Sequence, residues 1–397
     1  MYATIRLGTF AIAGLFTIVG CSPAVRLPSV QEPIESPEWT RCAGELEQRE
    51  AVAMIDDLTL DSKTLLCQGV ALAASGKVNE GLDLLTESGV RDKEDHRPHY
   101  LSGRILAEAG RYEEALSAFE RSAKRYPSME VPTERLGRKL VEKNGPEEAR
   151  IFLKKARERN LCLYGCMGLL AKLHHEAGED DQAEAIYNEM IEKDPDKPDA
   201  YHGLARLRNS ASKHKEEAEL LKKAVQAKKF AEIGETSQAD VLYSLSFALY
   251  NTSSYPAAAD AIDRAIKLAQ DRADWYLLAG WIEMKRGRHE DALARFKKAT
   301  ATDDKLGAAH TGLGDVRIAL SEPDRARSAY EKARELDPMN AVIILKLAHA
   351  AALDGDLEAA KRWVDEAAAT DKEHLPQDLL GKVTDLLKKH EAPSSSP

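Results

Sequence analysis

The sequence predicts an all-α fold, an α-solenoid of stacked helix pairs, from three columns of residues that share one period. Alanine recurs every 34 residues at Ala115, Ala149 and Ala183, and again at Ala258, Ala292, Ala326 and Ala360. A second column of small residues keeps the same step through Gly69, Gly103, Gly137, Ala171 and Ala205, then, after a phase break, through Ser246, Gly280, Gly314 and Ala348. Four residues behind each alanine stands a bulky side chain: Phe119, Leu153, Tyr187, Ile262, Phe296, Tyr330 and Val364. Self-similarity at such a period marks one supersecondary unit repeated along the chain.

The elements follow in chain order. Residues 7–20 form one long apolar run of fourteen residues, shorter than the about 20 that cross a bilayer. Arg6 precedes the run and the small Gly20 closes it, so residues 1–20 read as a secretory signal. The ending Ile18-Val19-Gly20-Cys21 resembles the lipobox of bacterial lipoproteins. The resemblance implies cleavage ahead of Cys21 and acylation there, with palmitate-type chains. Two or three chains anchor firmly where one binds reversibly, each buried methylene contributing about 0.8 kcal/mol. In such lipoproteins an aspartate after the cysteine retains the protein at the inner membrane. Ser22 stands there instead, which implies an outer-membrane lipoprotein facing the periplasm, or the outer face of the cell membrane where a source has a single membrane.

Residues 21–40 carry Pro23, Pro28, Pro33 and Pro37 among serines and predict an extended, solvated tether. An N-terminal capping helix is expected within 41–61, centred on residues 45–57. The closing EAPSSSP of residues 391–397 predicts a disordered tail. Removing residues 1–20 takes away Arg6 and no acid, moving the net charge from -10 to -11. Such a chain gains nothing from the counterion release that drives nucleic-acid binding, so nucleic acid is not an expected partner. Four cysteines remain after Cys21, and an exported compartment permits disulfides. Cys42 with Cys67 would staple the leading helix to the first repeat, and Cys162 with Cys166 would close a short loop at a repeat joint. The second pairing needs a joint that is not fully helical, because an i,i+4 bridge inside a regular helix has poor geometry. Otherwise these cysteines are small buried apolar residues.

The small, small, large pattern, with Pro127, Pro195 and Pro338 closing three units, resembles the tetratricopeptide repeat family over nine units, residues 62–374. The resemblance implies a right-handed superhelix. The pattern departs at Gly81, where alanine is expected, and the family's leading tryptophan is replaced by His99, Thr133, Met167 or Tyr276. Physically, each unit is two antiparallel helices joined near Gly76, Gly110, Gly178, Gly287 and Gly355, with small residues letting the backbones approach. No unit buries its own faces, so stability comes from stacking and both ends need caps. Leu379, Leu380, Val383, Leu386 and Leu387 make the apolar stripe of a C-terminal capping helix at 375–390. The steps from Ala183 to Ala218 and from Ala218 to Ala258 are 35 and 40 residues, seven more than two repeats. The excess predicts two sub-arrays, 62–229 and 239–374, meeting at a bend in a joint at 230–238.

In the resembled family the first helix of each unit lines the concave surface, and its second, fifth, ninth and twelfth positions face ligand. The ninth positions here are Arg104, Arg138, Lys172 and Arg206, then Phe247, Trp281, Asp315 and His349. Around the aromatics lie Tyr243, Tyr250, Leu277 and Met284, with Asn209 and Asn251 nearby. Aromatic anchors are the usual hot spots of a binding surface, and asparagine can grip an extended peptide from its donor and acceptor sides. A basic ladder beside an aromatic shelf suits an acidic or C-terminal peptide. Against that, Glu108, Glu142 and Glu176 stand four residues after the first three cations and can form simple surface pairs. The aromatics can equally be packing within the array.

No catalytic pattern, metal site or cofactor fingerprint is expected. His289-Glu290 lacks the second histidine of a zinc-protease helix. Cys166 and His174 are eight residues apart on one expected helix, about 12 Å, too far to share a metal. The chain therefore reads as a non-enzymatic scaffold. One class is a lipid-tethered array that holds an exported protein or peptide, resembling pilotins of type IV pilus secretins or adaptors of peptidoglycan enzymes. The alternative supports export of an anionic polysaccharide, with the basic ladder along the glycan or against its synthase or porin.

Overall fold

The computed structural model describes residues 61–126, 131–371 and 373–391. The expected signal segment, Cys21, the tether, Cys42, the 45–57 capping helix, Pro127 and the end of the tail lie outside them. Among the described residues every regular element is a helix. A first compact unit ends at Cys166 and holds three pairs. These are α1 (Ser62–Ala74) with α2 (Val78–Arg91), α3 (Arg97–Glu108) with α4 (Tyr112–Arg125), and α5 (Thr133–Asn144) with α6 (Pro146–Glu158). The second unit starts at Met167, inside α7 (Tyr164–Glu176), which pairs with α8 (Asp180–Lys193). There follow α9 (Pro198–Ser210) with α10 (His214–Gln226), α11 (Glu235–Asn251) with α12 (Tyr255–Leu268), and α13 (Ala273–Lys285) with α14 (His289–Thr302). The last pairs are α15 (Gly307–Ala319) with α16 (Pro323–Leu336) and α17 (Ala341–Asp354) with α18 (Leu357–Thr370), ahead of a single α19 (Gln377–Glu391). The nine pairs are the expected repeats of an all-α solenoid.

Local chemistry starts and stops these helices. Several second helices open on acids and close on bases, as with Glu113 and Glu114 at the start of α4 and Lys124 and Arg125 at its end, which suits the helix dipole. The turn inside each pair needs a left-handed residue. Gly76, Gly110 and Gly178 fill it at φ of +91°, +79° and +76°, where glycine meets no Cβ penalty. Ser212, Ser253 and Ser321 take the same turn at +56°, +60° and +61°. The sequence pattern passes over these three because only glycine announces the conformation.

The three columns meet at the crossing of each pair. Gly103 faces Phe119 so closely that an added Cβ would lie 2.6 Å from its ring, and the corresponding distances are 2.7 Å from Gly137 to Leu153 and 2.5 Å from Gly280 to Phe296. The bulky side chain also reaches the next unit. A Cβ on Gly312 of α15 would lie 2.5 Å from the same Phe296 ring, and Tyr187 of α8 crowds Gly203 of α9 in the same way. One ring thus closes its own pair and docks the following one. The alanine column from Ala115 to Ala360 is sealed in this layer, with Ala115, Ala149, Ala292 and Ala326 at 0 % exposure. Gly81 departs from alanine for a packing reason: a Cβ there would strike the Gly69 carbonyl and the Ala73 amide nitrogen of α1.

The joint at 230–238, where two sub-arrays were expected to meet, is packed structure. A 3-10 turn at Lys228–Glu232 follows α10, and its Phe230 joins a core that continues from Ala205 to Ala309. The Lys229 amide donates to the Asp196 carbonyl at 2.9 Å, and its ammonium meets Asp194 at 2.6 Å. The extra residues build this turn and lengthen α11 to 17 residues against 13 in α9. They add packed structure, and the two compact units divide at Cys166 and Met167.

At the far end, Val383 and Leu375 enter the last core cluster, with Leu379, Leu380, Leu386 and Leu387 packed against it. Cys162 and Cys166 are disulfide-bonded with α-carbons 5.1 Å apart. Cys162 lies in the non-helical residues 161–163 ahead of α7, the relaxed geometry that such a short bridge needs. The Thr133 hydroxyl donates to the Leu161 carbonyl at 3.0 Å and holds the same loop to α5. Cys67 is also disulfide-bonded; its expected partner, Cys42, lies outside the described residues.

Truncating Phe296 to alanine is expected to cost about 3–5 kcal/mol, and Ala292→Leu or Gly280→Val about 1–3 kcal/mol through overpacking. Urea unfolding followed by circular dichroism checks this, and unchanged midpoints would show that the ring is not wedged between two units.

Candidate binding groove

Within the second unit, α7, α9, α10 and α11 enclose a cavity of about 560 Å³. Helical spacing builds its wall. His202, Arg206 and Asn209 recur at i, i+4 and i+7 on α9, and Asp240, Tyr243, Ser244 and Phe247 do the same on α11. His175 of α7, Glu217 of α10 and Arg272, which caps α13, complete the polar lining.

Most of these polar groups are already occupied by one another. Asp240 lies 3.8 Å from Arg272, and Arg272 also meets Asp274 at 3.1 Å. The Arg272 guanidinium sits 4.8 Å over the Trp275 ring, a cation–π placement that adds to its hold. Tyr243 stacks on the same indole with centroids 5.4 Å apart, and burial pushes its phenol pKa up. Glu217 accepts from Asn209 Nδ2 at 2.9 Å and lies 2.9 Å from His214 Nδ1. His175 Nδ1 is 2.7 Å from Asp180, and its Nε2 is 3.3 Å from the Ser210 hydroxyl.

Two side chains stand apart. Arg206 is exposed to the cavity, and no carboxylate among the described residues pairs with it. His202 lies one turn before it, with Nε2 3.3 Å from the Ser244 hydroxyl, which itself donates to the Asp240 carbonyl at 2.9 Å. Removal from water, and then the Arg206 charge, push the His202 pKa down to about 4, so the imidazole is neutral at pH 7. Phe247 keeps 37 % of its surface exposed beside them, its ring edge-on to His214 at 6.5 Å.

The expected ladder of four cations is not one surface. Arg104 is buried at 5 % exposure inside the first unit, with partners of its own. Leu101 and Ile105 of the same helix draw that stretch into the core, so Arg104 is corrected from a binding residue to an interior one. Arg138 is tied to Glu134 at 2.8 Å, one turn before it, rather than to Glu142. Lys172 pairs with Glu176 at 3.5 Å as the surface reading expected. Such exposed pairs contribute a few tenths of a kcal/mol at most.

The aromatic shelf is divided too. Tyr243 and Phe247 line the groove, whereas Trp281 meets the Phe296 ring edge-on at 5.0 Å and packs with Leu277 and Met284 against the core of that pair. All three pack on that pair while keeping part of their surface exposed, apart from the groove lining. Tyr250 is half-buried against Tyr255 at 5.9 Å, and Asn251 is exposed at the end of α11, outside the cavity lining. Asn209 spends its amide donor on Glu217. His202 and Asp240 were missed by following the ninth positions alone; the same spacing carried one turn back from Arg206, and two turns back from Phe247, lands on them.

Among the described residues, no group of three or more His, Cys, Asp or Glu side chains could hold a metal ion, and no helix is long and apolar enough to cross a membrane.

A family profile described as tetratricopeptide repeat matches residues 68–130, 245–305 and 311–374, and a second profile of that description matches residues 167–207. The small glutamine-rich tetratricopeptide repeat-containing protein 2 of Mycosarcoma maydis is 30% identical over 89 residues, 22% of this chain and 25% of that protein. Tetratricopeptide repeat protein 1 of Schizosaccharomyces pombe is 29% identical over 97 residues, 24% of this chain and 9% of that protein. The matches therefore span a quarter or less of these relatives' lengths. Among solved structures, Pseudomonas aeruginosa pilF is similar at 18% identity over 61% of this chain and 100% of its own, with a TM-score of 0.46.

His202 binds fewer protons when folded than when unfolded between its depressed pKa of about 4 and the ordinary 6.5. Its contribution to stability is full above that window and is lost as pH falls through it. His99 in the first unit, pushed to about 4 by burial and then by Arg125 and Arg121, acts in the same direction. Thermal melts from pH about 7 to about 4.5 should show a falling midpoint, with a shallower fall in His202→Gln; parallel curves would refute the depressed imidazole.

Proposed function

Because the chain belongs to the tetratricopeptide repeat family, we propose that it is a lipid-anchored scaffold of the cell envelope. It grips an exported protein or peptide partner and assists the assembly or localisation of an envelope complex, in the manner of a pilotin or a peptidoglycan-enzyme adaptor. A repeat array of this kind is suited to protein–protein interaction. The observation that carries the reading is the groove of the second unit, where the uncommitted Arg206 guanidinium stands beside the exposed Phe247 ring. A cation and an aromatic face, set among hydrogen-bonding side chains that already hold each other in place, suit an acidic segment carrying an apolar residue.

The compartment rests on the sequence: the short apolar run, the small residue before Cys21 and Ser22 after it. Acylation at Cys21 would tether the array and leave its repeats free to reach a partner. The glycan reading needs several free cations in a row to track a polyanion. Of the four ladder positions, Arg104 is buried and Arg138 and Lys172 are paired, so the peptide reading is favoured.

Crosslinking in cells, followed by recovery of the full chain, tests the partner reading. Arg206→Ala with Phe247→Ala should lower partner recovery at least about tenfold, a loss on the order of 1.4 kcal/mol or more, whereas Arg138→Ala should leave it unchanged. Equal recovery from both variants would reject the groove. Cys21→Ser should abolish palmitate labelling and release the chain from membranes; a labelled or membrane-bound variant would reject the anchor.

A further inference from the structure

Arg206 and His202 share one face of α9, and no carboxylate among the described residues pairs with either. We propose that the groove seats a carboxylate of a bound acidic peptide between Arg206 and His202, and that seating it draws a proton from solvent onto the imidazole, so that binding tightens as the medium is acidified. This rests on the peptide-binding reading above and adds a regulation to it.

The argument is electrostatic and local. His202 and Arg206 line the same cavity one helical turn apart, so each disfavours a second positive charge on the other. The carboxylates on the facing elements do not relieve this: Asp240 of α11 is turned to Arg272, and Glu217 of α10 is held by His214 and Asn209. His175 of α7 has its own acid in Asp180. Tyr243, across on α11, stays protonated because burial raises its pKa. Ser244 occupies one imidazole nitrogen with a neutral hydroxyl that bonds equally to either protonation state.

An incoming carboxylate reverses the balance. Within about 4–6 Å, an opposite charge favours the charged form of a base. It would cancel the Arg206 repulsion and give the imidazolium a partner in a site shielded from water. The imidazole takes up one proton from solvent and no other bond changes. Binding and protonation are then reciprocal, so whatever raises the affinity of His202 for a proton raises the affinity of the groove for the anion at lower pH. The free imidazole titrates near 4, and the gain in affinity accumulates between that value and the raised value of the complex, by up to about tenfold per pH unit.

Calorimetry on the full chain reads the coupling. The probe is a blocked peptide of three Glu-Leu-Ser repeats, with a Gln-for-Glu counterpart, titrated at pH about 7.5 and about 5.5 in buffers of different ionisation enthalpy. The expected result is severalfold tighter binding of the Glu peptide at the lower pH with net proton uptake, no uptake with the Gln peptide, and no uptake in His202→Gln. In parallel, the His202 imidazole followed by NMR should titrate at least about two pH units higher with the Glu peptide bound, a readout that does not depend on any variant folding. Binding of the Glu peptide without proton uptake, or with an unmoved imidazole, overturns the coupling and leaves the peptide reading standing. Failure of that peptide to bind at either pH overturns both. Proton uptake driven by a uronate oligosaccharide and not by the peptide overturns the assignment of the anion to a peptide.

Discussion

A bulky side chain of the second helix pressed against a small residue of the first is the contact on which this molecule depends. Phe296 shows it most plainly: its ring fills the space that a Cβ on Gly280 would take within its own pair and that a Cβ on Gly312 would take in the next. Because the same ring closes one crossing and starts another, pairs cannot fold as independent modules, and stability is shared between neighbours. Within a pair the period follows from this geometry, since the large residue of the second helix meets a small one of the first at a fixed distance, as Phe119 meets Gly103 and Tyr330 meets Gly314. The Gly81 departure fits the same rule, for at the first crossing the backbones approach more closely than an alanine allows.

Close packing also decides which surface residues remain available. Where glycines bring first helices near the wedge, first-helix side chains rest on it, as Trp281 does on Phe296 while staying partly exposed. Where the period slips, the first helices on either side, α9 and α11, leave a cavity between them. The 3-10 turn after α10 closes the core beneath, with Phe230 inside it. The groove therefore belongs to the irregular part of the array, the part that the repeat rule leaves to individual residues.

Charge follows a similar economy. About a third of the chain is charged, and many cations meet an acid on their own helix or on the adjacent unit, such as Arg295 with Asp263 and Lys346 with Asp315, both at 2.6 Å. Singly these exposed or half-exposed pairs add little. Collectively they neutralise the flanks and leave local imbalance as the signal of a binding surface. Arg206 stands out because its neighbours are already spoken for, and His202 because its neutral state is held in place by burial and by that cation.

What the sequence determined alone is the repeat: the 34-residue step, nine helix pairs, the capping stripe on the last helix and the glycine turns were all legible, because each depends on residues a fixed distance apart on one or two helices. The serine turns at Ser212, Ser253 and Ser321 were not, since serine carries no sign of a left-handed backbone. What only the tertiary structure decided is the fate of single side chains at equivalent positions. Arg104, Arg138, Lys172 and Arg206 occupy one register of the repeat, and the first is buried, the next two are paired and the last is free. That outcome is set by what neighbouring helices place opposite each residue, a distance in space that periodicity along one chain does not encode.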